Sequence, residues 1–170
     1  MFTRPRIEKI LFATDLSENA EHAFGYAAGL AEAYGASVTI LHVIEKVPPN
    51  AELLISTLLG YSDLDEFRQH SEAERIERIK VRIRRFCDAA RISACRFMLR
   101  EVVVEPGKAV ERILHHAATG AYDVLVMGSR GHGLVQETLM GGTSRKVVLN
   151  SPIPVFIVPT DRTDRPPLKD

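Results

Sequence analysis

What this 170-residue chain lacks narrows it before any motif is read. It has no excess of either charge: 22 Lys and Arg offset 22 Asp and Glu, so no global field draws it toward nucleic acid or an anionic membrane. No apolar run approaches the ~20 residues that a bilayer demands, so no membrane span is expected. The opening MFTRPRIEKI lacks the apolar stretch of a signal peptide. Cysteine is scarce, and Cys87 and Cys95 stand at neither a C-x-x-C nor a paired-ligand spacing. They are expected as reduced thiols of a cytoplasmic protein, not as a disulfide or a metal site. Two nucleotide signatures are missing as well. There is no G-x-x-x-x-G-K-[ST], and no G-x-G-x-x-G follows the first apolar segment, which disfavours a P-loop and a dinucleotide-binding fold. No internal repeat or domain boundary interrupts the chain. The length suits one domain with a substantial core, expected over residues 1–160, followed by a flexible polar, Pro-rich tail at 161–170.

What is present alternates regularly. ILFAT (10–14), SVTILHVI (37–44), RFMLREVVVE (96–105), DVLVM (123–127) and VFIVP (155–159) are rich in Val, Ile, Leu and Phe. Near-continuous apolar runs are what strands covered on both faces require; the third segment alternates more and is expected to be longer and partly exposed. Between them lie helical patterns. Over 18–34 the stripe is Ala20, Ala23, Phe24, Ala27, Leu30, Ala31 and Tyr34, with Ser17 as N-cap and Gly35 as stop. Over 71–90, Ile76, Ile79, Ile83, Phe86 and Ala90 form one face. GKAVERILHHAATG places Val110, Ile113, Leu114 and Ala117 together, and a last helix over 143–149 is stopped by Pro152 and Pro154. The β-α-β-α-β-α-β-α-β order predicts an α/β fold: an open parallel five-stranded sheet between two layers of helices. The connection 46–70, with AELLISTLL, is compatible with a short helix or with a lid over the strand ends.

Ligands of such sheets sit beyond the carboxyl ends of the strands. Two of those ends carry suitable chemistry. ATDLSEN puts Asp15 just after strand one, and GSRGHGLVQETLMGGTS (128–144) follows strand four. Backbone N–H groups at Gly128 and Gly131, and at the start of a helix opened by Gly141, Gly142, Thr143 and Ser144, suit phosphate oxygens. Arg130, His132, Arg145 and Lys146 add positive charge. Spacing alone leaves a second reading open, in which these glycines are only turn residues. Asp15 likewise suits either ribose hydroxyls and an adenine amine or a second cap on the first helix.

With KILFATDLSENAEHAFGYAAGLA, SVTILHVIE, AYDVLVMGSRG and SPIPVFIV, nearly the whole chain resembles the universal stress proteins of the UspA type. The ATP-binding branch of that family carries G-x2-G-x9-G-[ST]. Here Gly128, two residues, Gly131, nine residues and Gly141 keep the spacing, while Gly142 stands in place of Ser or Thr. The resemblance implies a Rossmann-like sheet of the adenine-nucleotide hydrolase-like kind, with strand order 3-2-1-4-5 and a crevice where that order reverses. It implies adenine and ribose contacts at Ala13, Thr14, Asp15 and Val43, with Met127 and Gly128 bordering the nucleotide. Arg130, Gly131, Gly141, Gly142, Thr143 and Ser144 fall on the phosphate segment. It also implies a homodimer paired through the last strand, Val155, Phe156, Ile157 and Val158. An apolar edge strand gives an independent reason for a partner, and Pro152, Pro154 and Pro159 limit how far pairing spreads.

The expected ligand is ATP, with any Mg²⁺ riding on its phosphates, in a cytoplasmic stress-response or signalling module of little or no turnover. No catalytic or metal-ligating residue is assigned. His132 and Glu137 are the acid–base candidates in the loop; His115 and His116 diverge on their helix, and His42 reads as structural. TDLSENA carries neither a His-x-x-His nor a Ser-Gly-Gly loop, which argues against adenylyl transfer. Two alternatives stand beside this: a branch member that does not bind ATP and works through protein contacts, favoured by Gly142, and a slow ATPase. Arg78, Arg82, Arg84 and Arg85 alternate with Glu74, Glu77 and Asp88, so a solvated helix face is expected there and not a nucleic-acid surface.

Overall fold

The computed structural model describes residues 5–45, 60, 72–89, 99–131 and 140–159. Among these the order is β1 (Lys9–Thr14), α1 (Glu18–Tyr34), β2 (Ser37–Ile44), α2 (Glu72–Ala89), β3 (Leu99–Pro106), α3 (Ala109–Thr119), β4 (Val124–Gly128), α4 (Gly142–Asn150) and β5 (Val155–Val158). The sheet runs β3-β2-β1-β4-β5 with every pairing parallel. The fold expected from the sequence is the one found.

Alternation along the strands builds two cores. Ile10, Phe12, Val38, Ile40, Val102, Val104, Val124 and Val126 face α1 and α2, meeting Ala23, Phe24, Ala27, Ala31, Ile79 and Ile83. The intervening Leu11, Ala13, Leu41, Leu125 and Met127 face α3 and α4, meeting Ile113 and Val147. Because β1 sits centrally and is buried on both faces, its run is continuously apolar, whereas β3 at one edge carries exposed Arg100 and Glu101.

The signals at both ends of α1 hold. Ser17 Oγ accepts from Ala20 N–H at 3.2 Å, as an N-cap does. Gly35 ends α1 in the left-handed region, φ 64°, and Ala36 N–H closes on Ala31 O at 2.9 Å. Tyr34, expected in the buried stripe, is half-exposed because α1 ends beyond the sheet's reach, and Ala28 is buried in addition to the expected set. The 46–70 connection apart from Gly60, the start of the third apolar segment (96–98) and the 161–170 tail lie outside the described residues.

One side chain ties the two central strands at their entry. Asp123 Oδ2 accepts from Glu8 N–H at 2.8 Å and Lys9 N–H at 2.9 Å, which sets the start of β1 against the start of β4. Asp123→Ala leaves two backbone donors without this acceptor. It is expected to lower stability by about 1–3 kcal/mol in urea unfolding.

Candidate functional site

The strand order reverses between β1 and β4, and their continuations part company there. β1 leads to α1 on one face of the sheet; β4 leads through the glycine segment to α4 on the other. A crevice beyond the carboxyl ends is the geometric result.

At the end of β1, three residues turn the chain sharply. Asp15 Oδ1 accepts from Ser17 N–H at 3.1 Å and from Ser17 Oγ–H at 2.7 Å, so one carboxylate oxygen organises the cap of α1. Leu16 has φ 63°, one of two positive values at non-glycine positions among the described residues. That conformation costs a leucine about 1–2 kcal/mol. Leu16 N–H donates to Thr14 Oγ1 at 3.0 Å. Thr14 O also faces His42 Nδ1 at 2.9 Å. A carbonyl can only accept, so Nδ1 carries the proton in that contact.

This turn leaves its mark on β2. Ser37 N–H donates to Glu8 O on the β1 side, and Ile44 O accepts from Gly107 N–H on the β3 side. Backbone groups alternate sides along a strand, so the Val43 N–H and C=O point toward β1. With Thr14 in register with His42, the last rung runs from Val43 N–H to Thr14 O. The next rung would carry Leu16 N–H to Val43 O, but that N–H is bonded to Thr14 Oγ1.

On the β4 side the glycine pattern resolves into contacts. A Cβ on Gly131 would collide with Asp15 Oδ2, so residue 131 must be glycine for the carboxylate to lie where it does. A Cβ on Gly128 would stand 3.2 Å from Arg130 O. Asp15, which follows β1, and Gly131, which follows β4, therefore meet beyond the carboxyl ends of those strands. Arg130 stands beside them with its Nε buried and without a hydrogen-bond partner. Ala13 and Met127, paired in register, form the apolar floor, with Val43 packed beside them.

Ser129, which no sequence signal singles out, fastens the two parts of the segment. Its carbonyl accepts from Gly141 N–H at 2.8 Å and from Ser144 Oγ–H at 2.7 Å. Ser144 is buried, and its hydroxyl also lies 3.0 Å from Gly141 O. Its proton thus holds α4 in place, while Gly142 and Thr143 are exposed at the helix start. The first intrahelical bond is Arg145 N–H to Gly141 O at 3.0 Å, so the N–H groups of Gly142, Thr143 and Ser144 lie ahead of it. A Cβ at Gly142 would meet nothing within 4 Å. His132, Glu137 and the rest of 132–139 lie outside the described residues.

Elsewhere, His116 Nε2 lies 3.1 Å from Glu105 Oε1, which fixes it to β3, and its ring stands edge-on to that of His115 at a centroid separation of 6.0 Å. Among the described residues no three His, Cys, Asp or Glu side chains cluster to hold a metal, and no helix is long and apolar enough to cross a membrane.

A parallel sheet with this order and this crevice defines a class of Rossmann-like proteins, and comparison with known proteins narrows the class. The universal stress protein family profile matches residues 6–159, so the chain belongs to the universal stress protein family. A universal stress protein of Thermus aquaticus is 30% identical over 149 residues, covering 88% of this chain and 96% of its own. One from Methanocaldococcus jannaschii is 28% identical over 155 residues, covering 89% and 94%. Solved structures share the fold. UspA of Lactobacillus plantarum superposes with a TM-score of 0.67 at 22% identity, covering 91% of this chain and 99% of its own. A universal stress protein in complex with cAMP gives 0.53 at 20% identity, covering 92% and 100%. One from Archaeoglobus fulgidus in complex with dAMP gives 0.52 at 19% identity, covering 88% and 96%.

Ser144→Ala removes a buried donor from the Ser129 carbonyl. It is expected to cost about 1–2 kcal/mol in thermal or urea unfolding, where Thr143→Ala at the exposed neighbouring position costs under about 0.5 kcal/mol.

Proposed function

We propose that this universal stress protein is an ATP-binding module in which one domain, residues 1–160, works as a homodimer with little or no turnover. The single observation that carries the reading is the meeting of the Asp15 carboxylate with the glycine backbone at Gly131, beside the start of α4. A carboxylate there suits ribose hydroxyls, and the apolar floor of Ala13, Met127 and Val43 suits a flat base. The backbone N–H groups of Gly128–Gly131 and of Gly142–Ser144 suit phosphates, with the positive end of α4 behind them. The unpartnered Arg130 Nε is a further donor for an anion. Mg²⁺ would accompany the nucleotide, held by phosphate and water. The solved relatives in complex with cAMP and dAMP support an adenine nucleotide as the ligand class.

The dimer reading rests on the sheet edges. β3 guards one edge with Arg100, Glu101 and Pro106, while β5 presents Phe156, 38% exposed, beside Tyr26 at a ring separation of 6.1 Å. An unguarded apolar edge strand suits pairing with its own copy. Two cysteines at no paired-ligand or C-x-x-C spacing and a balanced charge fit a cytoplasmic setting.

Calorimetry with Mg²⁺ and ATP tests the site: binding at millimolar nucleotide or below is expected, with no ADP accumulating over a long incubation. Gly131→Ala, which pushes Asp15 aside, is expected to weaken binding at least tenfold, about 1.4 kcal/mol or more. Absence of binding in the unsubstituted protein would instead support a module acting through protein contacts alone, the reading that Gly142 favours. Because a Cβ at Gly142 meets open space, Gly142→Ser is expected to fold normally and tighten ATP binding by up to about tenfold through one added hydrogen bond. For the dimer, Phe156→Lys is expected to convert a two-chain species to monomer in sedimentation equilibrium. A protein already monomeric at high micromolar concentration would dispose of the β5 pairing.

A further inference from the structure

One hydroxyl at the start of α1 takes part in two bonds that serve different ends. Ser17 Oγ accepts from Ala20 N–H at 3.2 Å, which caps the helix, and its proton goes to Asp15 Oδ1 at 2.7 Å. The Ser17 N–H reaches the same oxygen at 3.1 Å. The chain folds back far enough for both because Leu16, between them, stands at φ 63°. Ser17 is buried, so water competes poorly for these bonds. A carboxylate oxygen offers two lone pairs, and Ser17 meets both of those on Oδ1. The other oxygen, Oδ2, is the one turned toward Gly131. A cap needs only the acceptor lone pair of the serine, so the donated proton exceeds what the helix requires.

We propose that Ser17 is a positioning residue whose hydroxyl proton fixes the rotation of the Asp15 carboxylate, so that Oδ2 meets the ribose hydroxyls of a bound nucleotide. The inference rests on the nucleotide reading and deepens it. The terminal torsion of an aspartate is soft and roughly two-fold, so an untethered carboxylate turns through a broad range. Two donors on one oxygen remove that freedom before a ligand arrives, and the ordering cost of binding falls accordingly. Gly131 gives the oriented oxygen its room, since a Cβ there would collide with Oδ2. Serine on one side and glycine on the other thus hold one carboxylate orientation. The cap of α1 and the alignment of the recognition group share a single side chain.

The test compares ATP with 2′,3′-dideoxy-ATP, which lacks only the two ribose hydroxyls, by calorimetry on the full chain. The unsubstituted protein is expected to prefer ATP by about tenfold or more. Ser17→Gly removes the hydroxyl at a position where glycine still serves as a cap, so the urea midpoint is expected to move little. It is expected to weaken ATP binding about fivefold while leaving the dideoxy analogue within about twofold, which flattens the preference. Ser17→Thr keeps both the acceptor and the proton and is expected to restore the preference. In an Asp15→Ala background, Ser17→Gly is expected to change ATP binding by less than about twofold, as for a residue acting through Asp15. A merely structural role for Ser17 would weaken both triphosphates alike, with or without Asp15, and that result overturns the inference. So does a Ser17→Gly protein that keeps its preference. An unsubstituted protein that binds both triphosphates equally also overturns it, while leaving nucleotide binding standing. One that binds neither overturns the nucleotide reading itself and this inference with it.

Discussion

Two neighbouring parallel strands whose continuations leave on opposite faces of a sheet cannot close the space beyond their ends. Everything at the candidate site follows from that geometric fact at β1 and β4. The chain leaving β1 must turn at once into α1, and it does so through a left-handed leucine and a capping serine. The chain leaving β4 must return to the other face, and it passes the neighbouring Asp15 carboxylate at Gly131, where the missing side chain leaves room for it. Unpaired backbone is the by-product of both turns. In a packed interior it would be a defect; at an open crevice it is the chemistry on which the proposed nucleotide binding rests.

The second requirement is that the pieces stay put. A helix start can present its N–H groups to one spot only if the helix is anchored there, and the Ser129 carbonyl supplies the anchor. By receiving both Gly141 N–H and the Ser144 hydroxyl, it joins the last residues of the β4 exit to the first turn of α4. Ser144 falls on the segment that the family resemblance assigns to phosphate, yet its proton is committed to holding that segment's shape. Presentation is left to Gly142 and Thr143, the exposed residues of the pair.

The fold was legible in the sequence because each level of it repeats one signal. Continuous apolar runs marked the doubly covered strands, and Ser17 and Gly35 marked the ends of α1 where both caps are found. The meeting of Asp15 with Gly131 was legible only through family resemblance, since residues 116 positions apart share no local pattern. Three features left no trace at all. The role of Ser129 lies in its carbonyl, which every residue possesses. The left-handed turn at Leu16 is enforced by its neighbours against the residue's own preference. The half-exposed Tyr34 fits the helical period of α1 but lies past the end of the surface that period was meant to bury. Side-chain chemistry writes itself into sequence; backbone direction and the extent of a neighbour do not.

The contrast between the two edges of the sheet has a consequence for growth. A sheet with two receptive edges can add copies without limit, whereas a sheet with one can be lengthened only once. Arg100 and Glu101 along β3 leave β5 as the receptive side. Any strand that pairs with β5 through a two-fold axis uses up the receptive edge of both participants, leaving charged termini outermost. On the proposed pairing, the sequence of a peripheral strand far from the crevice would set where the growth of the sheet stops.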